Sequence, residues 1–447
     1  MSLFQVPRGL QVPDGMTRRH FMSHLAGASA LVLPAMSFTN ALMANAADLK
    51  KRHKSCIMLW MTGGPATIDI WDMKPGAPTG GEFKPIATSL DGLQICEHLP
   101  LMAKEMKNMA VVRSMSTKEA DHNRGRYYMH TGYVPNPNIE HPSYGSVVAH
   151  ELAPQVPDLE IPPFVSVGGS SEGPGFLGMT WAPFVVGSNG EVRDMRMAID
   201  QNRLQQQMGM LAGIETDFIS QIGADPPANR SSRAKPAAGA STPAGEHAKV
   251  LEKTVRLMTS KQMDAFKVGQ EPQAARDRYG NTAFGKGCLM ARRLVEAGVP
   301  FIEVDLGGWD THSQNFNTLK NQKLPDLDKA MSALVSDLAQ RGLLEDTAIM
   351  WLGEFGRTPR INGNAGRDHY ARAWSVVVGG AGFKRGTVVG KTNADGTMVD
   401  SEPYTSQDLM ASVCKSLGIS LETTFTSNNG RPMKIANSGR VIKELFG

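Results

Sequence analysis

The chain has 447 residues, 41% of them hydrophobic and 20% charged, with 47 Lys and Arg against 43 Asp and Glu. That apolar content supplies one large core or two modest ones and excludes a disordered or fibrous protein. The formal charge of +4 owes half its excess to Arg8, Arg18 and Arg19 against Asp14, so no nucleic-acid partner is expected, because such proteins concentrate Lys and Arg to displace counterions from phosphates.

In chain order, Thr17-Arg18-Arg19-His20-Phe21-Met22 precedes a weakly apolar stretch from Leu25 to Met43 that ends in Ala44-Asn45-Ala46, a small-x-small cleavage pattern. The paired arginines, the Phe two positions later and the mild hydrophobicity resemble a twin-arginine signal. Residues 1–46 are therefore expected to be an export signal read by the twin-arginine machinery, and residues 47–447 the mature, periplasmic or secreted protein. The apolar run contains Pro34, Ser37, Thr39 and Asn40, too polar for a stable membrane span. Cys56, Cys96, Cys288 and Cys414 form no C-x-x-C pair, which argues against a zinc ribbon or redox dithiol; in an exported protein a pairing such as Cys56 with Cys96 stays open.

Short apolar runs predict strands at Cys56–Met61, Met109–Arg113, Phe164–Val167, Phe301–Leu306, Ala348–Leu352 and Trp374–Val378. Helical patterns lie between them, the clearest at Leu327–Gln340, with Leu327, Met331, Leu334, Val335 and Leu338 at three- and four-residue spacing. Such alternation predicts an α/β protein with a mainly parallel central sheet and helices on both faces, binding its ligand beyond the strands' carboxyl ends. One region breaks the pattern. Asp225–Gly245 is rich in Pro, Ala, Ser and Gly and reads as a flexible tether inside an inserted helical or cap segment around residues 190–267.

Four polar clusters follow predicted strands. Thr62 to Asp72 places glycines at a tight turn and offers Asp69 as a hard oxygen ligand; an ordinary strand-to-helix turn with a capping Asp explains it equally well. Asp121 to Tyr133 holds His122, suited to metal binding or proton transfer, with Arg124 and Arg126 able to grip an oxyanion. Gly307 to Asn315 contains Asp310-Thr311-His312, a carboxylate and an imidazole that converge on one cation at a strand's mouth. Gly353 to Tyr370 combines Glu354, Arg357, Arg367 and the pair Asp368-His369 with four glycines, more potential ligands than a core or a solvated loop uses.

The Gly-Gly-Pro-x-x-x-Asp segment at Gly63–Asp69, Gly-Gly-Trp-Asp-Thr-His at Gly307–His312, and Gly-Glu-Phe-Gly-Arg-Thr-Pro through Gly-Arg-Asp-His at Gly353–His369 resemble the bacterial domain-of-unknown-function family numbered 1501, over nearly all of the mature chain. That family is similar to the alkaline phosphatase and sulfatase superfamily. The resemblance implies an alkaline-phosphatase-like fold and a site of one or two divalent metals, with Asp310, His312 and His369 as ligands and Glu354 where an Asp is usual. Three positions depart from the superfamily pattern: His122 stands near the place of the nucleophilic Cys, Ser or Thr, Phe355 follows Glu354 where a His is usual, and Thr62 stands near the first strand end where Asp is usual.

The resulting expectation is an exported, sulfatase-like hydrolase of phosphate or sulfate esters, acting on a small-molecule or polysaccharide ester. A divalent cation (Zn, Ca, Mg or Mn) would be held among Asp69, Asp310, His312, Glu354, Asp368 and His369, with His122, Arg124, Arg357 and Arg367 as the catalytic set. The competing expectation is a secreted, non-catalytic protein on a degenerate hydrolase scaffold that recognises anionic glycans.

Overall fold

The computed structural model describes residues 53–190 and 260–447, together with residues 203, 206, 207, 209, 210, 213 and 257. The expected signal at 1–46, the start of the expected mature chain through residue 52, the expected tether at 225–245 and most of the expected insertion lie outside them. No helix among the described residues is long and apolar enough to cross a membrane.

The strands are β1 (Ser55–Trp60), β2 (Pro85–Ala87), β3 (Gln94–Cys96), β4 (Met109–Met115), β5 (Phe164–Val167), β6 (Phe184–Val186), β7 (Phe301–Asp305), β8 (Thr347–Leu352), β9 (Gly356–Arg357), β10 (His369–Tyr370), β11 (Trp374–Gly379) and β12 (Thr387–Val389). Eight of them form the central sheet in the order β12-β4-β11-β8-β1-β7-β5-β6. Every pairing is parallel except those of β11 with β4 and with β8. The mainly parallel α/β sheet expected from the sequence is thus present, with one reversed strand and two short edge strands, β6 and β12, that carry too few residues to show a pattern.

The six-residue run of β1 is buried throughout. Because successive side chains point to opposite faces, Ile57 and Leu59 enter one core and Cys56, Met58 and Trp60 the other. The main helices are α1 (Pro100–Glu105), α2 (His122–Thr131), α3 (Tyr144–Leu152), α4 (Gln273–Tyr279), α5 (Ala283–Glu296), α6 (Leu324–Gln340) and α7 (Ser406–Leu417). α5 and α6 close the first core, α3 and α7 the second, which gives helices on both faces. The apolar stripe read at Leu327–Gln340 is the buried face of α6, whose first turn begins earlier, at Leu324. All four cysteines are buried and unpaired, so no bridge joins Cys56 to Cys96.

Register decides where the loops emerge. Trp60 lies beside Leu352 on one side and Asp305 on the other, so the segments after β1, β7 and β8 leave the sheet together. Trp374, the first residue of the reversed β11, pairs with Met115, the last of β4. The chain entering β11 therefore reaches the same edge as the chain leaving β4. All four polar clusters meet at the carboxyl end of the parallel strands, where open α/β sheets place their sites.

Candidate metal centre

Asp310 is the hub of the site. Its Oδ1 lies 3.1 Å from His312 Nε2, 3.3 Å from His369 Nε2 and 2.6 Å from an Arg357 guanidinium nitrogen, while Oδ2 faces His122 Nε2 at 3.3 Å. Ligand atoms of His122, Asp310 and His369 all lie within 4.8 Å of one another. The close approach of the loops rests on Gly63, whose φ is +114° and where a Cβ would come within 2.5 Å of the Asp310 backbone nitrogen.

The tautomer of each imidazole follows from its other nitrogen. His369 Nδ1 is 2.8 Å from the Ala120 carbonyl oxygen, a pure acceptor, so Nδ1 carries the proton and donates it. His312 Nδ1 donates in the same way to Asp368 at 2.8 Å, and His122 Nδ1 to Glu354 at 2.7 Å. In their neutral forms all three rings then present a bare Nε2 lone pair toward Asp310. The Nε2 atoms of His312 and His369 are only 2.9 Å apart, an arrangement of two lone pairs that repel unless a cation or a proton lies between them. His122 Nε2 is buried without a hydrogen-bond partner. A ligating histidine that donates its second N–H to a carboxylate or carbonyl is the usual support of a metal site, and this donor set fits a divalent cation.

Electrostatics keep the hub ionised. Partial burial raises the Asp310 carboxyl, but the hydrogen bond and charge of Arg357, with His122 and His312, outweigh it and bring it down to about 2. The Glu354 hydrogen bond pushes His122 above the usual histidine range. Burial lowers His369, which favours the neutral, ligating form. Phe355, standing where the resembled superfamily usually has a histidine, is fully buried with its ring 4.7 Å from His369 and 5.1 Å from His122, packing against these rings instead of adding a ligand.

The structure separates the sequence-derived candidates into three groups. His122, Asp310, His312 and His369 converge. Glu354 and Asp368 stand directly behind them, each holding a ring; Glu354 is 2% exposed and also accepts the Gly63 N–H at 2.9 Å. Asp69, Arg124 and Arg367 are committed elsewhere, and Arg357 braces Asp310. Asp69 is fully buried, gripped by Arg367 through two bonds of 2.6 and 2.7 Å and by Asn315 at 2.8 Å, so it offers the cluster no free oxygen. Arg124 points outward to Glu119 at 2.6 Å. Arg126 pairs with Glu172 at 3.0 Å. Arg357 spends its remaining donors on the Gly63, Gly64 and Arg367 carbonyls, which makes it a strut for Asp310.

Two contributors escaped sequence reading. The Ala120 carbonyl that fixes His369 is a backbone atom with no residue signature. The buried pair of His130 and Glu303, 3.2 Å apart and each 1% exposed, ties α2 to β7 and so fixes the spacing of His122 and Asp310; the placement of Glu303 inside a predicted buried strand was a signal that could have found it.

The chain belongs to the family described as Protein of unknown function (DUF1501), matched over residues 53–446. No curated protein matches it. Among solved structures, it is similar to the PsFucS1 sulfatase from Pseudoalteromonas sp., with 13% identity, 85% of this chain and 70% of that chain covered, and a TM-score of 0.37. It is also similar to a protein in the alkaline phosphatase superfamily from Vibrio parahaemolyticus, with 11% identity, coverage of 89% and 71%, and a TM-score of 0.39. A third is the phosphonate monoester hydrolase from Silicibacter pomeroyi, with 12% identity, coverage of 88% and 76%, and a TM-score of 0.33.

Proposed function

We propose that the protein is an exported, metal-dependent hydrolase of phosphate or sulfate esters. The observation that carries this reading is the convergence of bare Nε2 atoms from His122, His312 and His369 on the ionised Asp310. Asp310, His312 and His369 would hold the cation, and an imidazole-dominated set suits zinc or another late transition metal better than calcium or magnesium. When bound, the cation supplies Lewis acidity that polarises the ester and acidifies water.

The chain's own groups supply the rest. Arg357 keeps Asp310 ionised and fixed. Asp368 and the Ala120 carbonyl lock His312 and His369 in the ligating tautomer. His122, on the opposite oxygen of Asp310, takes a proton at Nε2 during attack, and Glu354 at its Nδ1 stabilises the imidazolium that results.

The test is elemental analysis of protein exported from its native host, in wild type and in His312→Ala and His369→Ala, together with turnover of aryl sulfate and aryl phosphate. About one divalent ion per chain, absent from both variants, with ester turnover abolished in His122→Ala, is the expected result. A wild-type protein that binds no metal sinks the reading and leaves the glycan-binding alternative.

A further inference from the structure

Behind the loop that carries His312 lies a concavity of about 260 Å³, lined by Glu82, Gln314, Phe316, Asn317, Lys320 and Asn321, with Ala365 on its wall. That volume lies just below the range of drug-sized ligand sites and suits a single small ring. Three backbone irregularities meet on its surface. Gln314 and Ala365 both have φ of +51°, a conformation disfavoured for residues with a Cβ. Leu319–Lys323, which contributes Lys320 and Asn321, is a π-helical turn leading into α6, a geometry that is rare and concentrates at functional sites. Backbone departures of this kind persist only where the surroundings enforce them.

The enforcing element is the buried ion pair of Asp69, expected from the sequence as a metal ligand, and Arg367, expected as a catalytic residue. Arg367 grips Asp69, and Asn315 donates to the same carboxylate while accepting from Thr311 at 2.6 Å. The backbone N–H groups of Gln314 and Asn315 donate to the Asn364 and Ala365 carbonyls at 3.0 and 2.9 Å. Residues 311–316 and 364–367 are thereby clamped together, their inner side on Asp69 and their outer side on the pocket. Phe316 closes the floor, its ring 5.3 Å from Phe83 with the Arg367 guanidinium 5.6 Å away.

The chemistry of the lining selects the ligand. Among the described residues, the side chains of Glu82, Gln314 and Lys320 form no hydrogen bond or ion pair, and Asn317 and Asn321 bond only to each other. One carboxylate and one ammonium cancel in charge, and the amides both donate and accept. We infer that this pocket binds a neutral polyhydroxylated ring, a sugar unit, through paired hydrogen bonds to vicinal hydroxyls above an aromatic floor. Binding itself needs neither metal nor turnover.

The experiment uses saturation-transfer NMR and titration with the sulfate- and phosphate-free methyl glycosides of glucose, galactose, xylose and fucose. At least one should bind wild type with a dissociation constant in the millimolar range, at concentrations up to about 10 mM. Lys320→Ala/Asn321→Ala and, separately, the exposed Glu82→Gln should weaken it roughly tenfold, as loss of one or two such bonds does, while His369→Ala binds like wild type. Binding to none of the four, binding unchanged in the pocket variants, or displacement of the glycoside by inorganic sulfate alone overturns the inference. A protein that binds the glycoside yet holds no metal removes the hydrolytic reading and leaves the pocket standing.

Discussion

The Asp69 and Asp310 regions are built from the same materials, an aspartate met by arginine and by nitrogen-bearing side chains from glycine-rich loops at the end of the sheet, and they have opposite characters. Asp69 is sealed, and each of its oxygens is taken by Arg367, with Asn315 adding a third bond. Asp310 is 46% exposed, and the three imidazole nitrogens around it have nothing of the protein's own to bind except that one carboxylate. A satisfied polar network is scaffold, because a buried charge is tolerated only when paired. A network whose lone pairs face one another is an invitation to a cation.

The largest effect should come from breaking the sealed region. Arg367→Ala leaves the Asp69 carboxylate buried and unpaired, and is expected to cost about 3–5 kcal/mol in denaturant unfolding. A loss below about 1 kcal/mol would show that the pair is less confined than its burial implies.

Next is the buried His130–Glu303 pair. Burial alone would lower His130, but the charge and hydrogen bond of Glu303 outweigh it and raise it above the usual range. A raised folded value means stability that is fully present below a pH of about 6.5 and is lost as pH rises through the folded value. The melting temperature should therefore fall on the alkaline side of that value in wild type, and the slope should disappear in His130→Gln/Glu303→Gln.

At the open site the effect should fall on the metal and spare the fold. Asp368→Asn weakens the orientation of His312 and is expected to reduce metal affinity about 10–100-fold, read by competition with a chelator, with stability changed by less than about 1 kcal/mol. An equal loss of fold and metal would erase the contrast between the two regions. Smallest of all, Arg124→Ala removes only an exposed pair with Glu119; stability should move by less than about 0.5 kcal/mol, and both metal content and ester turnover should match wild type. A large loss of turnover would return Arg124 to the catalytic set.

The six central strands and the buried face of α6 were legible because each is a run long enough to show its period. Edge strands of three residues, β6 and β12, were not, nor was the reversal of β11, since a buried strand reads the same in either direction. The cluster residues were legible as chemistry: Asp310, His312, Asp368 and His369 stood out as ligand types at strand ends. Their division of labour was not, because Asp69 and Asp310, or Arg357 and Arg124, differ only in what surrounds them.

The sequence by itself therefore determined the central strands, the loops that carry polar groups, and the kinds of atom available to a ligand, since these follow from local periodicity and composition. Only the tertiary structure decided which nitrogens are spent and which are free. That choice depends on partners distant in sequence, among them the Ala120 carbonyl for His369, Glu354 for His122 and Arg367 for Asp69. Hydrogen-bond satisfaction is a property of neighbours in space, and neighbours in space are set by strand order and register.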